Sequence, residues 1–264
     1  MPTNFPRFRI GAVSYLNTLP LVWGMLEGRE RDQVDLSFSL PSVCSEELER
    51  AEIQIGLVPV VEISRQKLEA VPGVGIACLG AVRSILLFSR VPWAQVRRLA
   101  ADSGSRTSVE LARVILRERF GVQPEIIRHD PQLGDMLSHA DAALLIGDAA
   151  LRADPASVPF ECLDLGAEWL SLTGLPFVFA AWAGKPGIPV DPLSALTRAS
   201  YEFGQARIDE IAAREYASRG ISLELAQRYL RHHIRYELGS AEQQGLDLFL
   251  RLADLARPAV AACL

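Results

Sequence analysis

No CxxC pair, no Gly-rich phosphate loop, no nucleophile elbow and no basic block occur in this chain, and each absence closes off a class of chemistry. The four cysteines, Cys44, Cys78, Cys162 and Cys263, lie far apart with no His at ligand spacing, so they read as buried reduced thiols rather than as a zinc site or a redox pair. His129 and His139 stand alone. His232 and His233 are neighbours on a predicted helix and point to different faces, so no metal is expected. "GVGIACLG" lacks both the GxGxxG order and a following helix, no GxSxG elbow is present, and no paired carboxylates stand out. Net charge is −5 with the arginines dispersed, which argues against a nucleic-acid partner and for a small solute. No window offers the roughly 18 uninterrupted apolar residues of a membrane span. The start, "MPTNFPRFRIGAVSYLNTLPL", carries early arginines and an apolar run, but Tyr15, Asn17, Thr18 and Pro20 interrupt it and no small-residue cleavage site closes it. The chain is therefore expected to stay in the cytoplasm.

What is present is ample apolar material: 264 residues, 49% hydrophobic and 22% charged, enough for one large domain or two small ones. "FRIGAVSY" reads as a strand, and "LPLVWGMLEG" as a helix with Pro20 in its first turn, where a missing N–H costs nothing. A strand at "VDLSFSL", a helix from Ser42 and a buried strand at "IQIGLVPV" follow. "VPGVG" reads as a turn and "SILLFSR" as another apolar strand. In "SRTSVELARVILRERFG", Thr107 and Glu110 have capping-box spacing, and Gly121 suits the position just past a helix end. Strands are further predicted at "PEIIRH", "AALLIGD" and "FECLDL", with a helix opened by Asp130 and Pro131. Alternation of strand and helix predicts mostly parallel α/β layers, and beyond "GLPFVFAAWAG" the pattern is helix alone.

Two segments echo one another. "AEIQIGLVP" and "ADAALLIGD" each run from Ala and an acid through a buried strand into a loop, as two similar halves would. The apolar strands at "FSRVPW" and "GLPFVFAAWAGKPG" are then the natural crossings. Residues 1–89 and 178–264 are expected to form one lobe and residues 90–177 the other, with ligand between them at the carboxyl ends of strands.

Polar residues crowd two predicted helix starts. At the first, either Asn17 or Thr18 caps the helix, or Ser14, Tyr15 and Asn17 face the cleft; a cap needs only one polar side chain, and this turn supplies several. At the second, Ser105, Arg106, Thr107 and Ser108 surround free backbone donors whose partial positive charge suits an anion. Thr107 can serve as a plain cap while Arg106 and Ser108 face a carboxylate. Arg83 and Ser84 open an apolar strand, Arg83 reading as a surface residue and Ser84 as one turned into a cavity or a turn. Asp148, after a buried strand, reads as a helix cap.

Taken together, "RIGAVSYLNTLPL", "IGLVPVVEIS", "VRSILLFSR", "SGSRTSVELARVIL", "ADAALLIGDAAL" and "LDLGAEWLSLTGLPFVFAAWAG" closely resemble the chorismate dehydratase family, which opens the futalosine route to menaquinone. The resemblance runs from about residue 8 to 186 and continues more loosely beyond. It implies an α/β, two-lobed fold like the type II periplasmic binding proteins, with two hinge crossings and a helical C-terminus. It implies the dianion chorismate as substrate, loss of water to give 3-[(1-carboxyvinyl)oxy]benzoate, and no metal or organic cofactor. The matching motifs contain no well-placed His or Glu, so the substrate's own side-chain carboxylate is expected to take the proton while Asn17 and Ser84 hold its pose. Substrate contacts are expected from Ser14, Tyr15 and Thr18, from Arg83, from Ser105, Arg106, Thr107 and Ser108, and from Gly147 and Asp148. Leu19 stands where relatives often carry Arg, so no Arg contact is expected there. Two readings stand beside this one: the related 1,4-dihydroxy-6-naphthoate synthase, a lyase on a similar scaffold, and a non-catalytic small-anion binder.

Overall fold

Strands and helices follow one another in a computed structural model that describes residues 7–254. In chain order they are β1 (Phe8–Val13), α1 (Leu19–Glu27), β2 (Val34–Ser39), α2 (Pro41–Glu49), β3 (Ile55–Pro59), α3 (Val60–Arg65), β4 (Glu69–Cys78) and β5 (Ile85–Ser89). Then come β6 (Arg98–Asp102), α4 (Thr107–Phe120), β7 (Glu125–His129), α5 (Leu133–His139), β8 (Ala142–Ile146), α6 (Gly147–Arg152), β9 (Glu161–Asp164) and α7 (Leu165–Thr173). The chain closes with β10 (Phe177–Gly184), α8 (Val190–Gln205), α9 (Ile208–Glu215), α10 (Leu223–Arg228), β11 (Arg235–Glu237) and α11 (Ser240–Leu252).

Two sheets result, with strand orders β11-β4-β10-β3-β1-β2 and β7-β6-β8-β5-β9. They repeat one plan. In the first, β3 lies between parallel β1 and antiparallel β10; in the second, β8 lies between parallel β6 and antiparallel β5. The echoing segments of the sequence thus fill the same central position in both sheets. Each antiparallel strand, β5 or β10, is the one the chain enters on crossing from the other sheet, so the sheets are mixed rather than mostly parallel. Because β5 is hydrogen-bonded to β8 and β9, residues 85–89 belong with the second sheet. The first crossing therefore falls between Cys78 and Ile85, earlier than the expected break after residue 89.

Other departures have local causes. "VPGVG" is not a turn: Pro72 and Gly73 sit inside β4, where Gly73 takes φ +113° and makes an irregularity in a continuous strand. The edge strand β11 pairs with β4, so the C-terminal segment is not helix alone. Short, alanine-rich β6 was not evident in the sequence; it is buried between β7 and β8. Helix α4 ends at Gly121 in the left-handed conformation, φ +68°, as its position suggests. Trp169, Phe177 and Phe249 meet edge to face, with Trp169 and Phe177 centroids 5.2 Å apart, and so join α7, β10 and α11 in the core. Cys44 and Cys78 are buried free thiols and Cys162 is half-buried; Cys263 lies outside the described residues. Among the described residues no helix is long and apolar enough to cross a membrane.

Candidate active site

The antiparallel strands fix where a ligand fits. Parallel strands β1, β3 and β8 end on the same edge at which β5 and β10 begin, and a cavity lies there between the sheets. Val13, Pro59 and Ile146 at strand carboxyl ends, Ser84 and Ile85 at the start of β5, and Phe179 and Ala180 early in β10 line it. Its volume is about 70 Å³. A single water needs about 10–15 Å³ of such space, so the cavity suits a small molecule and not a polymer.

Three polar groups enter from different elements. Asn17 lies in a single 3-10 turn between β1 and α1, 8% exposed, and its Oδ1 has no hydrogen-bond partner among the described residues. Ser84 is buried and accepts a 2.9 Å bond from the Tyr229 hydroxyl. Opposite, α4 begins at Thr107, so the first backbone N–H groups of the helix lack intrahelical carbonyls. Thr107 does not cap it: the N-cap is Arg106, Thr107 Oγ1 is buried without a partner, and Glu110 is bound to Arg65 at 2.7 Å. The capping-box reading fails because the helix starts one residue earlier than the motif assumes, with Thr107 already inside it. Freed of that duty, Thr107 and Ser108 line the cavity beside Arg106.

Arg106 is the only charged side chain among the described residues that line it. Its Nη1 is buried and unpartnered, and Glu62 approaches no closer than 4.0 Å. Burial, then the charge of Arg128, lowers this guanidinium from its ordinary value. A half-buried cation with so distant a counter-charge favours an incoming carboxylate. Tyr15 completes the wall, its ring lying against Gly147, whose φ of +54° and missing Cβ let the ring approach. Burial, followed by the charges of Asp102 and Asp148, raises the Tyr15 phenol well above the usual tyrosine value, so it stays a hydrogen-bond donor.

The remaining expected contacts lie elsewhere. Ser14 is exposed, with its carbonyl bound to Arg219 at 3.0 Å. Thr18 is fully buried at the N-cap position of α1, where its side chain makes no capping bond and does not line the cavity. Ser105 is buried outside the lining, its N–H on the Asp102 carbonyl. Arg83, at φ +64°, turns its guanidinium onto the Ala150, Leu151 and Ala153 carbonyls and so satisfies the end of α6. Asp148 does not cap α6 and does not line the cavity. Its Oδ1 accepts from the Leu16 N–H at 3.1 Å and its Oδ2 pairs with Arg219, linking a helix of the second sheet to the turn after β1. Leu19 is packed in the core. Outside the cavity, His129 and His139, which looked isolated, meet around Asp135 with ring centroids 5.5 Å apart at the edge of the second sheet.

Tyr229 was missed altogether. Nothing in "AQRYLRHH" marks it, since its partner Ser84 is 145 positions away in the chain.

Known proteins fit this picture. Residues 8–254 match the family profile described as menaquinone biosynthesis. A chorismate dehydratase of Thermus thermophilus is 34% identical over 209 residues, 72% of this chain and 75% of that one. A chorismate dehydratase of Campylobacter jejuni is 23% identical over 246 residues, 91% of this chain and 95% of that one. In fold, a crystal structure from Archaeoglobus fulgidus superposes with TM-score 0.76 at 16% identity, covering 94% of this chain and 97% of that one. The alkanesulfonate-binding protein SsuA of Xanthomonas axonopodis pv. citri does so with TM-score 0.67 at 16% identity, over 97% and 96% of the two chains. The architecture is that of the two-lobed periplasmic-binding-protein fold, and the chain belongs to the menaquinone-biosynthesis family that includes the chorismate dehydratases.

Proposed function

We propose that this protein is a chorismate dehydratase, a hydro-lyase of the futalosine route that works in the cytoplasm. It converts chorismate to 3-[(1-carboxyvinyl)oxy]benzoate and water. The two sheets are the cores of two lobes that close on the substrate, and the crossing segments before β5 and β10 are the hinges.

In the reaction, the C–H bond on the ring carbon bearing the enolpyruvyl ether breaks. Its electron pair forms the new ring double bond, and the C–O bond on the neighbouring carbon breaks to release the hydroxyl. Aromatisation drives the step, so the protein must orient more than activate. The chemistry of the lining suits such a role, since among the described residues it holds no Asp, Glu or His, and the Tyr15 and Tyr229 phenols are both held protonated by burial. The proton then passes to the substrate's side-chain carboxylate. Arg106, Thr107, Ser108 and the first N–H groups of α4 bind a carboxylate from the second lobe, while Asn17 from the first lobe and Ser84 hold the reacting edge of the ring.

The observation that carries this reading is the buried, unpartnered Asn17 Oδ1 in the cavity wall. A buried acceptor left empty is costly, and a ligand donor placed there removes the cost. The test is Asn17→Ala. Mass spectrometry should show the wild-type protein giving a product one water lighter than chorismate, and the variant binding that product without forming it. Full turnover by Asn17→Ala refutes the assignment. A wild-type product of unchanged mass, or none, refutes the reaction.

A further inference from the structure

The C-terminal segment places one phenol behind the cavity wall. Tyr229 is 1% exposed. It opens a single π turn, Tyr229–His233, directly after α10, and such turns re-aim side chains and recur at functional sites. Two side chains of the cavity wall face its hydroxyl: it donates to Ser84 Oγ at 2.9 Å, and the Asn17 side chain is turned toward the same oxygen, where it offsets part of the effect of burial on the phenol. Burial holds the phenol well above its ordinary value, so its proton stays in place.

The directions of these contacts then follow from donor counting. Asn17 Oδ1 is unpartnered, so the amide NH₂ is the end that meets Tyr229, and an NH₂ can only donate. The phenol oxygen faces that donor and gives its single proton to Ser84 Oγ. Ser84 Oγ, having accepted, has its own proton left to point into the cavity it lines. One buried tyrosine thus fixes an acceptor, Asn17 Oδ1, and a donor, Ser84 Oγ–H, on the same wall.

A donor beside an acceptor matches a hydroxyl group, which needs one of each, and does not match a carboxylate, which takes donors only. We propose that Tyr229 is a positioning residue that aligns Asn17 and Ser84 onto the ring hydroxyl that leaves in the elimination. The inference rests on the dehydratase reading above. Ser84 donates to the oxygen as its C–O bond breaks, and the departing hydroxide takes up the proton to leave as water, with Ser84 reprotonated from the substrate-derived proton.

Tyr229→Phe removes one oxygen and leaves the ring, and its melting temperature reports whether it folds. With chorismate as substrate, kcat should fall at least about tenfold, a part of the roughly 10²–10⁴-fold that a positioned proton donor supplies, while KM moves by less than about threefold. In a Ser84→Ala background the same change should cost clearly less, because only Asn17 is then left to orient. The dehydrated product has lost the ring hydroxyl, so its Kd should be the same for Tyr229→Phe and the wild type. A Kd for product weakened in step with kcat, or equal losses in both backgrounds, overturns the inference, since the tyrosine would then only shape the cavity. Ser84→Ala provides a check that leaves the phenol in place: an unimpaired kcat there overturns the inference even if Tyr229→Phe does not fold. Wild-type protein that releases no water from chorismate sinks the reaction and this inference together. Wild-type turnover with an unimpaired Tyr229→Phe sinks the inference alone.

Discussion

Replacing Asp148 by Ala should weaken ligand binding with little effect on the unliganded fold. Its carboxylate pairs with Arg219, and the two side chains are 15% and 14% exposed, so water screens the pair only in part. The other oxygen accepts from the Leu16 N–H at 3.1 Å. Arg219 would not be orphaned, because it also reaches the Ser14 carbonyl at 3.0 Å and Glu215 at 3.1 Å. The loss therefore stays below the about 3–5 kcal/mol of a buried charge left alone. It is nearer that of one hydrogen bond to a charged group, about 2 kcal/mol. The link joins the turn after β1, the start of α6 and the segment after α9, so it acts between the two sheets rather than within either core. If closure carries the whole amount, about 2 kcal/mol is about a 30-fold change in affinity. Calorimetric titration with the dehydrated product should show Asp148→Ala weakened by that factor, and Asp148→Asn, which keeps an acceptor for Leu16, weakened less. Were binding unchanged while the unliganded melting temperature fell by about 4–8 °C, the equivalent of the same energy spent on folding, the reasoning would be refuted.

Two further substitutions test the energetics around the site. Asp102 is buried, and burial raises its carboxyl above the ordinary aspartate value of 3.8. Its contribution to stability is then fully present below about pH 4 and lost as pH rises through the raised value. Asp102→Asn, which can keep the 3.0 Å bond from the Gly104 N–H, should raise the melting temperature at pH 7, with the gain vanishing below about pH 4; a gain of equal size at both pH values contradicts this. Gly204 lets α8 approach α1 so closely that an added Cβ would lie 2.2 Å from the Pro20 carbonyl oxygen. Backbone cannot yield as a side-chain tip can, so Gly204→Ala should cost about 1–3 kcal/mol and show as a clear drop in a thermal melt.

Much of this was legible because it was written locally. Apolar runs of five or six residues ending in polar turns marked β1, β3, β5 and β8, and the polar crowding at residues 14–18 and 103–108 marked both helix starts that face the cavity. What failed did so because the deciding partner was distant or the local signal was ambiguous. Asp148 looks like a cap until Leu16 and Arg219 arrive, and Arg83 looks like a surface cation until the end of α6 needs donors. Pro72 and Gly73 read as a turn, yet a strand tolerates both where its ladder is already irregular. Strand β6 lacks the β-branched residues that usually announce one.

The repeated sheet plan explains how a scaffold used for binding can also carry out an elimination. In both sheets the strand entered on crossing runs opposite to its neighbours, so each crossing brings a strand start to the edge where the parallel strands end. Ser84 and Ile85 at one such start, and Phe179 and Ala180 near the other, therefore line the cavity and adjoin the crossings at once. Movement of the lobes about those crossings must shift Ser84 relative to Asn17, which lies past the end of β1 in the other sheet. Tyr229, bound to Ser84 and faced by Asn17, sits across that division, and in the proposed reaction the C-terminal segment that supplies it holds the two in register. On this argument the wall that aligns the substrate is complete only when the lobes are closed. In the proposed reaction, closure and the orientation of the leaving hydroxyl are then a single event, one that calls on no charged acid or base from the cavity wall.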